Sequence, residues 1–128
     1  KNLELGNISF VRDDVFKIPL RPAQAVILND FLHHLPSWDD QRRLLARACA
    51  ALKPGGKLIV VDIARRPFYK FALAWLVDHT IYMGVRICYL RHERFVKFLE
   101  LNGIGDVSMR PIDAGRPYSN VIYTGFKR

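Results

Sequence analysis

The sequence predicts an α/β fold in one domain of 128 residues. Residues 26–28 and 58–61 are short apolar runs that end in polar residues, which is typical of fully buried strands. Apolar side chains repeat at helical spacing over residues 38–53, between these runs. The order strand, helix, strand predicts a parallel pair with a right-handed crossover. Two strand-like runs, 107–112 and 121–126, flank a loop with glycine and proline and predict a carboxyl-terminal antiparallel hairpin.

Before this unit, the pattern predicts two elements and a break. Residues 1–5 have the composition of a helix end, with Gly6 and Asn7 as its stop. Residues 8–11 predict a short strand, and Asp13 and Asp14 follow it. Prolines at 19 and 22 then exclude regular structure.

The first buried strand, predicted over residues 24–29, ends in Asn29 and Asp30. Ligands of open α/β sheets bind outside the carboxyl ends of strands, so this end is where polar chemistry is expected. Ser37 and Asp40 form a capping pair that predicts where the next helix begins. Residues 54–56, Pro-Gly-Gly, predict a tight turn that ends this helix before a second strand over residues 57–63.

Two further helices are predicted, over residues 67–84 and 92–101. The first is rich in aromatic residues, which are typical of two kinds of element. It is either a core helix or the wall of a pocket. It carries Lys70, Asp78 and His79 and is too short for a clean membrane span, so none is predicted.

Composition narrows the classes of function. The net charge is +8, but the basic residues are dispersed along the chain, which makes a nucleic-acid partner unlikely. Cys49 and Cys88 lie in apolar segments without motif spacing, which predicts reduced core cysteines in a cytoplasmic protein.

Two motifs resemble one family. The segments LNDFLHHLP at 28–36 and LKPGGKL at 52–58 are similar to those of class I S-adenosylmethionine-dependent methyltransferases that act on small molecules. The resemblance implies a partial Rossmann-like sheet with flanking helices. It also implies that residues 1–128 are the carboxyl-terminal portion of such a domain, because the chain has no glycine-rich first βαβ unit. The chain is then expected to be incomplete for cofactor binding.

The resemblance also implies which residues bind S-adenosylmethionine. The stretch VRDDVF at 11–16 is similar to the family's adenine-binding segment, which places the carboxylate at Asp14 and the amide at Val15. Asp13 stands where the family has glycine, so either carboxylate is a candidate. Asn29 and Asp30 would lie beside the methionine end of the cofactor.

His33 and His34 are the candidates for a base, which methyl transfer needs only when the acceptor must lose a proton. Adjacent helical residues point about 100° apart, so one histidine at most is expected to face the site. Alternatively, both pack at a helix start. The spacing of Asp30, His33 and His34 does not suit zinc, and no metal is predicted. Groups expected near the acceptor are Asp62, Trp75, Asp78, His79 and Tyr82.

Without the family's first strands, strand 24–29 becomes an exposed edge. Such edges pair with something, so we expect another copy, the missing half, or the amino-terminal strand to cover it. The predicted function is methyl transfer to a small molecule. The alternatives are a noncatalytic interaction module with the same fold and, less favoured, a basic nucleic-acid-binding domain.

Overall fold

The computed structural model describes residues 6–128 and confirms the α/β class. Its strands are β1 (Ala23–Asn29), β2 (Leu52–Ile63), β3 (Ile104–Pro111) and β4 (Asn120–Lys127). Its helices are α1 (Trp38–Ala51), α2 (Phe68–Ile81) and α3 (His92–Leu101), with a short 3₁₀ turn at Leu32–His34. The described strands form one sheet in the order β1-β2-β4-β3. β1 and β2 are parallel, and β4 is antiparallel to β2 and β3, so the parallel pair and the terminal hairpin are both confirmed.

The core lies between one face of the sheet and the helices α1 and α3. α1 presents a buried stripe that includes Leu44, Leu45 and Ala48, and α3 adds Phe95 and Leu99. Ser37 caps α1 as predicted, since its hydroxyl oxygen accepts the Asp40 N–H at 3.1 Å. This packing fixes the end of β1 and the start of α1, between which the histidines lie.

The predicted strand at residues 8–11 is wrong. These residues have no regular structure, and Phe10 is 95% exposed. A strand needs a neighbour for its backbone hydrogen bonds, and no described strand lies beside this segment. The helix end predicted at residues 1–5 lies outside the described residues.

The turn after α1 also differs from the prediction. β2 begins directly at Leu52, and the glycines predicted as a separate turn form an irregularity within that strand. Gly55 has a positive φ of 76°, which L side chains rarely adopt. A Cβ on Gly56 would lie 2.8 Å from the Lys53 carbonyl oxygen, so the backbone packs too closely there for another residue.

β1 is an edge strand of the described sheet, as predicted. It pairs with β2 alone, and Ile27 is 62% exposed. No described amino-terminal residue pairs with its free side, so that mode of covering the edge is absent from residues 6–128.

Both cysteines are free, and burial raises the pKa of Cys49 to about 11. Cys49 belongs to the core as predicted, whereas Cys88 is half-buried. Over residues 6–128, no helix is both long and apolar enough to cross a membrane. The same residues hold no group of three or more His, Cys, Asp or Glu side chains that could bind a metal ion.

Candidate active site

A cavity of about 330 Å³ opens at the carboxyl ends of β1 and β2. Asp30, His33 and His34 line it on the β1 side, and Tyr118 and Asn120 line it on the β4 side. The remaining wall is one face of α2, with residues at helical spacing: Ala74, Val77, Asp78 and Ile81. The polar end of β1 and the aromatic helix therefore meet at one site.

His33 is fixed beneath this cavity by Asp62. The two side chains are 3% and 0% exposed, and His33 Nδ1 donates to Asp62 Oδ1 at 2.5 Å, because an ionised carboxylate only accepts. Asp62 Oδ2 also accepts the His33 backbone N–H at 3.3 Å, and the His33 carbonyl oxygen accepts the Cys88 N–H at 2.9 Å. These contacts fix both the ring and the backbone of His33.

A second carboxylate faces the other ring nitrogen of His33. Asp78 Oδ2 lies 4.0 Å from His33 Nε2 and accepts the Tyr89 hydroxyl at 2.8 Å. Burial alone would lower the pKa of His33, but the hydrogen bond and charge of Asp62, with the charge of Asp78, outweigh it and raise that pKa. Burial and the Asp78 contact raise the pKa of Tyr89, so its hydroxyl stays a donor.

His34 is placed differently from His33, although both line the cavity. Its ring is half-buried, 4.1 Å from the His33 ring and 4.6 Å from the Tyr82 ring between centroids. Burial and the positive charge of His33 lower the pKa of His34, so its imidazole is neutral at neutral pH. Both rings contribute to the lining of the cavity, but the His33 side chain is only 3% exposed, so His34 is the more accessible of the two.

Asp30 stands in a left-handed backbone conformation at the end of β1, with φ at 47°. Its N–H donates to the Val61 carbonyl at 2.9 Å, and its Oδ1 accepts from Asn120 Nδ2 at 3.1 Å. Burial on this side and the charge of Asp62 raise the pKa of Asp30, while its other side is exposed. Asn29, which precedes it, is exposed and does not line the cavity.

Asp14 and Val15, predicted for the adenine, lie against α1 and outside the cavity lining. The Val15 carbonyl accepts from Arg47 Nη1 at 2.7 Å. Asp14 Oδ1 accepts the Phe16 N–H at 2.9 Å, which closes a local turn. The structure thus separates these two residues from the end of β1.

Of the residues predicted near the acceptor, the structure gathers three and separates two. Tyr82 and Asp78 line the cavity, and Asp62 lies directly beneath it. Trp75 and His79 stack on each other at 4.3 Å and do not line the cavity. Trp75 and His79 are four residues apart, so they lie on the same face of α2. That face is next to the face that lines the cavity.

Sequence reasoning missed Asn120, Tyr118 and Tyr89. Residues 113–120 were interpreted as a loop, yet antiparallel pairing of Asn120 with Ile63 brings the start of β4 to the end of β2. The predicted hairpin joins β3 to β4 and does not indicate that β4 also pairs with β2, so the sequence offered no signal for Asn120. Tyr89 lies outside the helices and strands, and no periodicity marks it.

Comparison with known proteins identifies the family of the chain. A family model for the O-methyltransferase domain matches residues 2–68, just over half of the chain. The chain is 31% identical to carboxy-S-adenosyl-L-methionine synthase from Chromohalobacter salexigens, over 80% of this chain and 32% of that protein. It is 40% identical to a flavonoid O-methyltransferase-like protein from Oryza sativa subsp. japonica, over 45% of this chain and 16% of that protein.

A solved structure shows the same fold. Human N-acetylserotonin methyltransferase, in complex with SAM, superposes with a TM-score of 0.67 at 21% identity, covering 96% of this chain and 36% of that chain. The chain therefore spans about a third or less of the length of these relatives. The matched region includes the polar end of β1, both histidines and Asp62. The chain belongs to the O-methyltransferase domain family.

Proposed function

We propose that this chain carries the acceptor side of an S-adenosylmethionine-dependent O-methyltransferase site for small hydroxylated molecules. The observation that carries the proposal is the neutral, accessible imidazole of His34 in a cavity at the carboxyl ends of two parallel strands. Membership of the O-methyltransferase domain family supports oxygen as the methylated atom. A cavity of about 330 Å³ suits a small acceptor.

In this proposal the two histidines have different tasks. His34 accepts the hydroxyl proton of the acceptor, for which a neutral imidazole near its ordinary titration range is suited. His33 is held between Asp62 and Asp78 and does not exchange that proton. Its charge lowers the pKa of His34, and its ring supports the His34 ring. Alignment of the reacting atoms supplies much of the rate enhancement.

The residues at the end of β1 fit part of the cofactor. S-adenosylmethionine, when bound, supplies an electrophilic methyl group on a sulfonium centre. The exposed side of Asp30 offers a carboxylate acceptor for its ammonium group, with Asn29 beside it. Within residues 6–128, no strand leads through a glycine-rich turn into a helix. We therefore propose that this chain supplies Asp30 and Asn29 and that other segments complete the cofactor site.

The test is a titration of the ¹⁵N-labelled chain with S-adenosylhomocysteine up to millimolar concentration. We expect amide shifts at Asn29, Asp30 and His34, and weaker shifts in the variant Asp30→Asn. Arg110, on the strand at the other edge of the described sheet, serves as the reference position, because Arg110→Gln should leave the titration unchanged. Saturable shifts that map elsewhere and spare the end of β1 would contradict this placement of the cofactor. An absence of all shifts in a protein that also contains the missing cofactor-binding segments would favour the noncatalytic module.

The edge of β1 has a role in the same proposal. The free side of this strand offers unpaired backbone groups beside an exposed Ile27. We propose that another copy or further methyltransferase segments pair there and bring the rest of the cofactor site. Sedimentation should detect an assembly that Ile27→Lys weakens. A monomer whose amides in β1 exchange freely would contradict this pairing.

We also propose a cytoplasmic location for the protein, on the basis of its cysteines. Two free thiols, one of them in the core, support the cytoplasmic location that the sequence predicts. Cell fractionation of the native protein tests this location, and recovery from an oxidising compartment would contradict it.

A further inference from the structure

A second recess, which does not include His33 or His34, lies where β2 ends and α3 begins. Its volume is about 390 Å³, and its floor is apolar: Leu90, Val121 and Tyr123 are each at most 8% exposed. Its rim carries Arg65, Arg66 and Arg91. We call this recess the arginine groove.

The charge of the arginine groove is not balanced within the described chain. Glu93 is the one carboxylate in its lining, against three guanidinium groups. Within residues 6–128, no carboxylate lies within salt-bridge distance of these three arginines, and the recess brings their unpaired charges together on one rim. Arg65 donates only to the Tyr89 carbonyl, at 3.3 Å.

Hydrogen bonds fix the backbone next to these arginines, whose side chains are exposed. Arg65 and Arg66 follow Ala64, whose N–H donates to the Ser119 carbonyl at 2.6 Å. The Ser119 hydroxyl donates back to the Ala64 carbonyl at 2.5 Å. Arg91 precedes α3, and its carbonyl accepts the Phe95 N–H at 2.9 Å. A site on a preformed backbone loses little conformational entropy when a ligand binds.

We propose that the arginine groove binds an organic carboxylate with a flat apolar body. Guanidinium groups match the two oxygens of a carboxylate, and Arg66 and Arg91 have no carboxylate partner of their own in the described residues. The apolar body lies on Leu90, Val121 and Tyr123, in the arrangement common to small-molecule sites. This inference rests on the lining of the groove and is independent of methyl transfer.

The groove extends toward the candidate active site. An adjoining recess shares Arg65, Arg66 and Val121 with it and reaches Asn120. Asn120 also lines the histidine cavity and donates to Asp30. A carboxylate ligand in the groove is therefore a neighbour of the histidine cavity, and its binding is expected to shift the Asn120 side-chain amide.

Calorimetry with naphthoate and its neutral analogue naphthamide, on the complete chain, tests the proposal. We expect saturable binding of naphthoate at one site and roughly tenfold weaker binding of naphthamide, because charge-assisted hydrogen bonds are lost. Arg66→Gln and Arg91→Gln should each weaken naphthoate binding by roughly tenfold. Arg110→Gln removes the same charge on the other sheet face and should leave the affinity unchanged.

Three results would overturn the proposal. Equal affinity of the unmodified chain for naphthoate and naphthamide would show that the guanidinium groups do not bind the carboxylate. Unchanged affinity in folded Arg66→Gln and Arg91→Gln would place the ligand elsewhere. An equal loss of affinity in Arg110→Gln would show that the effect comes from the net charge of the protein and not from the groove. The first comparison needs no variant, so it decides even where a variant fails to fold.

Discussion

Helices α1 and α2 both have 14 residues, yet they are attached to the sheet in opposite ways. α1 has six polar residues among its 14 and buries a stripe of five residues that includes Leu44 and Leu45. α2 is far more apolar but buries only Ala74 and Asp78. Its large side chains face solvent in this structure, with Phe68 77% and Leu76 56% exposed.

The contacts of α2 explain the difference. Asp78 accepts the Tyr89 hydroxyl, and Lys70 donates to the Asp113 carboxylate and carbonyl at 2.8 and 2.7 Å. These polar contacts, with a small apolar cluster around Phe71 and Ala74, hold α2 over the histidine cavity, whereas α1 packs on the main core. Amphipathic spacing, rather than total hydrophobicity, therefore indicates which helix belongs to the core.

The largest expected effect is the difference in stability loss when one leucine of each helix is truncated to alanine. Leu45→Ala in α1 should lower the free energy of unfolding by about 2–5 kcal/mol, because it opens a cavity at a fully buried position. Leu76→Ala, the matched change in α2, should stay within about 0.5 kcal/mol. Urea unfolding measures both. Similar losses in the two variants would show that α2 packs as α1 does.

The next effect tests the polar attachment of α2. Asp78→Ala removes the acceptor of the buried Tyr89 hydroxyl and should cost about 1–3 kcal/mol. Amide hydrogen exchange should accelerate in α2 more than in α1. Asp39→Ala, at an exposed carboxylate of α1, is the control and should change stability by no more than about 0.5 kcal/mol. Unchanged exchange in α2 would mean that Asp78 does not hold it.

A smaller effect concerns how the helices begin. Ser37→Ala should lower stability by about 1 kcal/mol, because the Asp40 N–H loses its side-chain acceptor. Ser37→Asp keeps an acceptor and should restore most of that loss. α2 begins after Pro67 without a side-chain cap, so Pro67→Ala should have no capping effect. Equal stability of Ser37→Ala and Ser37→Asp would show that the cap contributes nothing.

The smallest effect is in the pH dependence of stability. The folded-state pKa of His33 is raised, so its contribution is fully present below its unfolded pKa of about 6.5 and is lost as pH rises through the folded pKa. The stability gap between the native chain and His33→Gln should therefore be largest in acid and shrink as pH rises. The charge of His33 also affects the pKa values of Asp30 and His34, so the variants Asp30→Asn and His34→Gln are measured alongside as controls. A gap that grows with pH would contradict the ion pair.

The fold was largely predictable because its signals are local. Buried apolar runs, the Ser37 cap and the hairpin loop each specify their element without knowledge of distant contacts. The segment at residues 8–11 has the composition of a strand but lacks a described partner, and composition alone does not report a partner.

The site was predictable only in part. Asn29, Asp30 and the histidines follow from the rule that ligands bind at carboxyl strand ends. The place of Asn120 depends on strand register, and the choice between Tyr82 and Trp75 depends on how α2 is rotated. Neither the strand register nor the rotation of α2 can be deduced from the spacing of residues within one segment. The division of roles between His33 and His34 depends on Asp62 and Asp78, which approach from other elements.

The different roles of the two histidines depend on opposite pKa shifts: two carboxylates raise the pKa of His33, whereas burial and the charge of His33 lower the pKa of His34. A proton NMR titration of the four histidine rings, assigned with single His→Gln variants, measures this directly. The structure predicts a midpoint above about 6.5 for His33 and below it for His34. The reverse order, or two midpoints at the ordinary value, would contradict the claim.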